Sequence, residues 1–477
     1  MRDIGATATK KGLESKWLIL LAVMLGSVMG PLDASIVNTI IPSITKFFHA
    51  EISIAQWVLA VYLLTISCFI LLYGRLGDML GHKKIFLYGL AAFMVTSVLC
   101  GLSQSIWMLI VFRGLQGLAA GMMMAVGYAI ITAAFPATER GKAFGIYAIG
   151  IAVGLSLGPT LGGLIAEHLS WRYVFFINIP IGICALLWGY RVIPRGSKEA
   201  GQRLDLFGAL AAFVLLTSVL LYANRGEDWG WLSLVSISLL TVAVLSGILF
   251  IWVERKSEQP MLNLALFSNR VFSFAILSAL FNFMSLYALV FLTPFYLTFV
   301  LQYSILKVGL VMAAGPIAIL VAAPLSGAAS DRIGTRGLAF CGMIIAAFGL
   351  VLLSGLNESA DAFDVIWRLA VVGLGMGMFQ SPNNSAVMGS VPPWHLGIAS
   401  GVLAAMRNVG MALGIAIAGA VLYNVAPIAT SLSPGQFSPA DIQEFLNGLS
   451  WAFITGAGLA GMAALTSLLA IDRGSKA

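Results

Sequence analysis

The chain has 477 residues, of which 60% are hydrophobic and 10% charged, with a mean hydropathy of +0.96 and a net charge of +7. A soluble domain carries roughly 25% charge, so this composition excludes an ordinary globular protein and points to a chain that crosses a bilayer many times. The four cysteines, Cys68, Cys100, Cys184 and Cys341, lie far apart in apolar runs and form no C-x-x-C or Cys/His cluster. They are expected as packing residues, with neither a disulfide framework nor a metal site.

A span needs about 20 apolar residues. By that rule the chain has fourteen: 17–41, 53–73, 84–104, 106–134, 142–166, 171–192, 205–223, 231–252, 271–299, 306–329, 337–356, 363–390, 398–423 and 446–471. All are expected as α-helices, because backbone in hydrocarbon must bond to itself. The first run exceeds signal-peptide length and lacks a small-residue cleavage site, so it is expected to stay as a span. The longest outer loop, 424–445, carries Pro427, Pro434 and Pro439. With the N-terminus in the cytoplasm, 20 of the 27 Lys and Arg residues fall in inner segments. Five, Lys46, Arg172, Arg225, Lys307 and Arg368, fall in outer loops or at the outer ends of spans, and Arg113 and Arg407 lie deeper inside spans. That bias places both termini in the cytoplasm and accounts for the positive charge without nucleic acid.

Between spans 2 and 3 stands a charged turn, GRLGDMLGHK, and GAASDRIGTR follows span 10 in the same way, with Asp78 matching Asp331 and Gly81 matching Gly334. A second set repeats at an offset of 256: Gly117, Gly121, Pro136, Gly141, Gly145, Gly154 and Gly158 match Gly373, Gly377, Pro392, Gly397, Gly401, Gly410 and Gly414. Spans 1–6 and 9–14 are thus two copies of a six-helix unit. The domains are expected at 1–193, 194–254 (an inserted helix pair) and 255–477. Duplicated halves around a midplane cavity are the layout of secondary transporters.

Four stretches carry chemistry. In the charged turn, Gly74, Gly77 and Gly81 permit tight helix approach. Asp78 is placed to cap a helix N-terminus from the other copy or to pair with an Arg. In PLDASIVNTIIP, Asp33 is the one carboxylate deep in a first-copy span. It costs about 2.5–3.5 kcal/mol on insertion scales, so it needs a partner or a task. Its counterpart in span 9 is Ser285. In RGLQGLAAG, Arg113 cannot shed its proton and needs a carboxylate or carbonyls; Asp33 is the candidate in the same copy, with Gln116 close by on the helix. A proton arriving on Asp33 would weaken that pair. In GIAVGLSLGPTLGG, Gly150, Gly154, Gly158 and Gly162 recur on one face and allow close helix contact, and Pro159 adds a pivot.

These stretches resemble the major facilitator superfamily, and within it the fourteen-span drug:proton antiporter branch. The pattern G-x-x-x-G-P-x-x-G-G over Gly154, Gly158, Pro159 and Gly162 is similar to the antiporter motif of drug exporters. QWVLAVYLL (56–64), WRYVFFINIPIG (171–182) and RNVG (407–410) also resemble the branch. The resemblance implies an all-α polytopic fold of fourteen helices. It also implies a cytoplasmic latch at Gly74, Asp78, Gly81, Asp331 and Arg332, and proton coupling through Asp33 and Arg113. The sequence departs from the family pattern at Met79, where a basic residue is usual; Arg332 fills that place in the second copy.

Substrate-contacting candidates are Trp57, Tyr62, Gln116, Tyr287, Gln380, Asn384 and Arg407. Phe281, Phe291, Phe295 and Met122–Met124 are either adaptable cavity wall or lipid-facing surface. Gln380, Asn383 and Asn384 either bind substrate or bond between helices. One deep aspartate faces two deep arginines, so neutral, zwitterionic or anionic amphiphiles are expected to be favoured over permanent cations. No Walker A pattern is present, so ATP hydrolysis is not indicated. The sequence reading is therefore a monomeric, cofactor-free, non-enzymatic exporter. It exchanges protons for small amphiphilic compounds across a bacterial-type cytoplasmic membrane. A carrier dedicated to one metabolite is the alternative, ahead of a lipid scramblase or channel.

Overall fold

The computed structural model describes residues 3–50, 52–195, 204–230, 232–257, 260–426 and 439–470, and among these all regular structure is helical. Helices fill the predicted places: α1 Asp3–Phe48, α2 Ile52–Leu80, α3 His82–Gly101, α4 Ile106–Ala134, α5 Arg140–His168, α6 Asn178–Val192, α7 Leu206–Trp229 and α8 Leu234–Lys256. The second copy continues with α9 Arg270–Phe295, α10 Ala314–Ile333, α11 Thr335–Ser354, α12 Ala362–Gly389, α13 Leu396–Val425 and α14 Pro439–Leu469. Thirteen helices among the described residues are long and apolar enough to cross a membrane; α5 runs for 29 residues in its predicted place but is not among them. Most of the outer loop, 427–438, lies outside the described residues.

Two spans expected as single rods are broken. A short helix, Tyr173–Phe176, precedes α6, and another, Ile305–Met312, precedes α10. After Pro294, α9 loosens into a π-turn at Tyr296–Val300. Pro cannot supply a helical N–H and crowds the turn before it. Helix starts follow local chemistry: Ser105 caps α4, Asn269 caps α9, and Asp361 with Asp364 forms a capping box on α12. The two charged turns need glycine, since Gly81 and Gly334 sit at φ +96° and +89°, where a side chain costs roughly 1–2 kcal/mol.

The chain divides into two compact units. The first gathers residues up to Phe213 with Phe250–Asn263 and Val391–Ala405; the second comprises Val214–Leu249, Leu264–Ser390 and the chain from Met406 on. In the first unit α4 lies on α2 and α3, and α1 on α5 and α6. In the second unit α12 lies on α10 and α11 as α4 does on α2 and α3, and α14 lies on α9 and α11 as α6 does on α1 and α3. The repeated glycines set these contacts. Gly117 faces the backbone of Tyr62, and Gly373 that of Gly315. Likewise Gly154 faces Val28, and Gly410 faces the Leu280 carbonyl. Without a hydrophobic force between helices in lipid, such close packing holds a bundle together.

Candidate functional site

In the first unit α1 carries Asp33 into the bundle at 1% exposure, and α4 brings Arg113 and Gln116 beside it, both at 0%. Arg113 Nη1 donates to Asp33 Oδ2 and to Gln116 Oε1 (2.6 Å), and its Nε donates to the Val58 carbonyl of α2 (3.1 Å). The other carboxylate oxygen, Asp33 Oδ1, accepts from Gln116 Nε2 (3.1 Å) and from Asn178 Nδ2 at the start of α6 (2.8 Å). Ser97 of α3 accepts from Gln116 Nε2 at 2.8 Å, and Cys100 lies 3.5 Å from Gln116 Oε1. Tyr62 closes one side: its ring centroid is 4.0 Å from the guanidinium carbon, and its hydroxyl donates to the Gly30 carbonyl at 3.2 Å.

The expected pair is therefore present and embedded in a polar network to which α1, α2, α3, α4 and α6 all contribute. Burying two charges costs several kcal/mol each, offset only when geometry and further hydrogen bonds are good. Arg113, Gln116 and Asn178, all donating to one carboxylate, meet that condition. The network is incomplete at Arg113 Nη2 and Asn178 Oδ1, which have no partner among the described residues. Tyr62 and Gln116, expected to contact substrate, are enclosed with the ion pair; Trp57 is half-buried. Sequence reasoning missed Asn178 and Ser97. The only signal was a single amide in the apolar stretch WRYVFFINIPIG.

The glycine face of α5 lies along the same α1 segment. A Cβ on Gly158 would collide with Ser35, and one on Gly162 would come 3.1 Å from the Ile36 carbonyl. Asp33 is one turn or less from both contacts. The Pro159 side chain is outside the described residues, though its backbone is helical.

At the charged turn Asp78 is buried and caps α13. Its oxygens accept from Gly397 N (2.7 Å) and Ile398 N (2.9 Å), and His82 Nε2 lies 2.9 Å away. Gly74 and Gly397 cross so closely that a Cβ on Gly74 would stand 2.6 Å from the Gly397 carbonyl. His82, one turn along, is the imidazole beside Asp78, while Met79 brings no charge. In the second unit Asp331 is half-buried near the end of α10 and Arg332 is exposed.

The second copy does not repeat the ion pair: Ser285, Leu369 and Val372 occupy the places of Asp33, Arg113 and Gln116, all buried. Tyr287, Gln380, Asn384 and Arg407 are half-buried there. Arg407 lies 5.6 Å from the Phe283 ring and within electrostatic range of Tyr287, and its Nε has no partner among the described residues. Asn282, Ser285 and Asn383 add buried polar atoms that are likewise unpaired there. Of the methionines considered as wall, Met123 is buried against Gly89 of α3. A polar recess of about 460 Å³ between the α11–α12 turn and α14 holds none of the expected substrate groups.

Comparison with known proteins gives the family and the fold. The family model described as Major Facilitator Superfamily matches residues 23–415 and again 276–476. The chain is 34% identical over 406 residues to the riboflavin transporter RibZ of Clostridioides difficile, covering 85% of this chain and 88% of that protein. It is 34% identical over 423 residues to the multidrug resistance protein Stp of Mycobacterium tuberculosis, covering 88% and 78%. Among solved structures, the human organic anion transporter MFSD10 (TETRAN) superposes with a TM-score of 0.66 at 15% identity, over 95% of this chain and 99% of that one, a likeness of fold alone.

Proposed function

The chain belongs to the major facilitator superfamily, and from that premise we propose that it is a proton-coupled exporter of small amphiphilic compounds working by alternating access. Membership makes it a multi-pass membrane transporter of small molecules rather than an enzyme. The observation that carries the finer reading is the buried Asp33–Arg113 network. Ionised Asp33 is an acceptor for Arg113, Gln116 and Asn178 at once. A proton entering from outside turns one oxygen into a donor, weakens the hold on Arg113, and lets α1, α4 and α6 shift against one another. The glycine face of α5 transmits that shift along α1, and the Asp78 cap on α13 is the contact made and broken at the cytoplasmic side. A unit charge moving through 100 mV is worth about 2.3 kcal/mol, enough to bias such a cycle.

A second reading, a carrier dedicated to one metabolite, is favoured by the similarity to a riboflavin transporter. One experiment addresses both. In everted membrane vesicles, an acid-inside pH step should drive uptake of fluorescent amphiphiles of varied structure. Asp33→Asn, inserted at normal levels, should abolish the response to the pH step while keeping exchange of labelled for unlabelled compound. Undiminished pH-driven uptake in that variant overturns the coupling role, and uptake restricted to one compound favours the dedicated carrier.

A further inference from the structure

The inserted pair α7–α8 has no part in the mechanism above, yet each helix brings an acid to the same point beside the charged turn. Asp205 precedes α7 and caps it: Oδ1 accepts from Gly208 N at 2.8 Å, while Oδ2 is buried with no partner among the described residues. Glu254, 4% exposed, stands in the last turn of α8. Its Oε2 accepts from Leu262 N at 2.9 Å, with the Met261 N–H also in contact. Its Oε1 is buried and unpaired in the same sense. The two orphan oxygens converge on Gly208: a Cβ there would lie 2.6 Å from Glu254 Oε1 and 3.2 Å from Asp205 Oδ2. Among the described residues the other charge facing Glu254 is Arg75 of α2, buried, its Nε without a partner. Arg255 and Lys256, on Glu254's own helix, are exposed.

Two buried carboxylate oxygens, both acceptors and both without donors, repel one another when ionised. A single hydrogen between them satisfies both. Its place follows from the helix ends. Asp205 is at an N-terminus, where a negative charge is favoured; Glu254 is at a C-terminus, where it is opposed. Two carboxylates alone are too few oxygens for a divalent cation.

We infer that Glu254 and Asp205 form a second proton-binding site, separate from Asp33, in which a protonated Glu254 donates to ionised Asp205. Proton loss to the aqueous phase leaves two carboxylates. Glu254 then accepts more strongly from the 261–262 backbone and draws on Arg75, one residue from the Gly74–Gly397 crossing. The inserted helices thereby sense pH for the charged turn.

The site is read without substrate or gradient, so its fate is independent of the export reading. The full-length protein in liposomes is titrated while infrared absorption of protonated carboxyl groups is followed. Glu254→Gln should remove one titrating carboxyl. Asp205→Asn, which removes a like charge, should move that titration at least one unit toward acid, a tenfold loss of proton affinity. Arg75→Gln should move it the other way, and Asp33→Asn should leave it in place. The proposal is overturned if Glu254→Gln removes no titrating group, or if the Asp205→Asn and Arg75→Gln shifts are absent or share one direction.

Discussion

Arg113 Nη1 serves Asp33 and Gln116 together, so neither charge is held by one contact alone. The pair was legible in the sequence because a charge inside an apolar span must find a counter-charge, and only one lay in the same copy. Asn178 and Ser97 were not legible: a lone amide or hydroxyl in a helix has many possible partners, and its choice depends on packing. The pair's energetic unity is testable in the purified protein by thermal unfolding. Arg113→Met leaves Asp33 buried without its cation and should cost about 3–5 kcal/mol. Adding Asp33→Leu removes the stranded charge and should restore part of that loss, because an apolar pair needs no counter-ion. Purely additive losses would show that the two charges are not energetically coupled. Asp33→Asn is milder, since its amide oxygen still accepts from Arg113.

At the scale of helices, the glycine repeats announced close contacts but not their partners. The helix breaks before α6 and α10 were invisible, because hydropathy reports the bilayer and not helix continuity. The length of α1, far beyond 17–41, was hidden for the same reason: polar residues can prolong a helix outside lipid. The fold separates glycines that look alike in the sequence. Gly158 meets Ser35, while an added Cβ on Gly163 would have nothing within 4 Å. Gly158→Ala should therefore part α5 from α1, costing about 1–3 kcal/mol and most of the transport, whereas Gly163→Ala should be neutral in both unfolding and uptake. Equal behaviour of the two variants would mean that the glycine face does not set the α1–α5 contact. Asp78, read as either a cap or the partner of an Arg, met the N-terminus of α13, while its second partner, His82, lay unnoticed four residues away.

Across the whole molecule the duplication preserves helix pairing and discards chemistry: the same pairs recur in both copies, but Ser285, Leu369 and Val372 replace the charged network. Packing positions were legible as repeats because every copy must bury the same helix faces; the functional asymmetry emerges only when copies are compared residue by residue. One consequence concerns cargo. Asp33 and Arg113 neutralise each other, which leaves Arg407, within α13 and beside Phe283 and Tyr287, as a half-buried cation whose Nε has no partner among the described residues. A cationic compound brought within about 6 Å of it would be disfavoured by about 3 kcal/mol at an effective dielectric of about 20, and an anionic one favoured by a similar amount, less whatever water screens. The aromatic neighbours suit an amphiphile whose ring stacks while its acid meets the guanidinium. Arg407→Gln keeps a polar, hydrogen-bonding side chain but not the charge. In vesicles given matched anionic, neutral and cationic amphiphiles, it should lower uptake of the anions about tenfold, leave the neutral compounds nearly unchanged and raise the cations. A uniform loss across all three would make Arg407 a structural residue, and preserved anion uptake would place the cargo elsewhere.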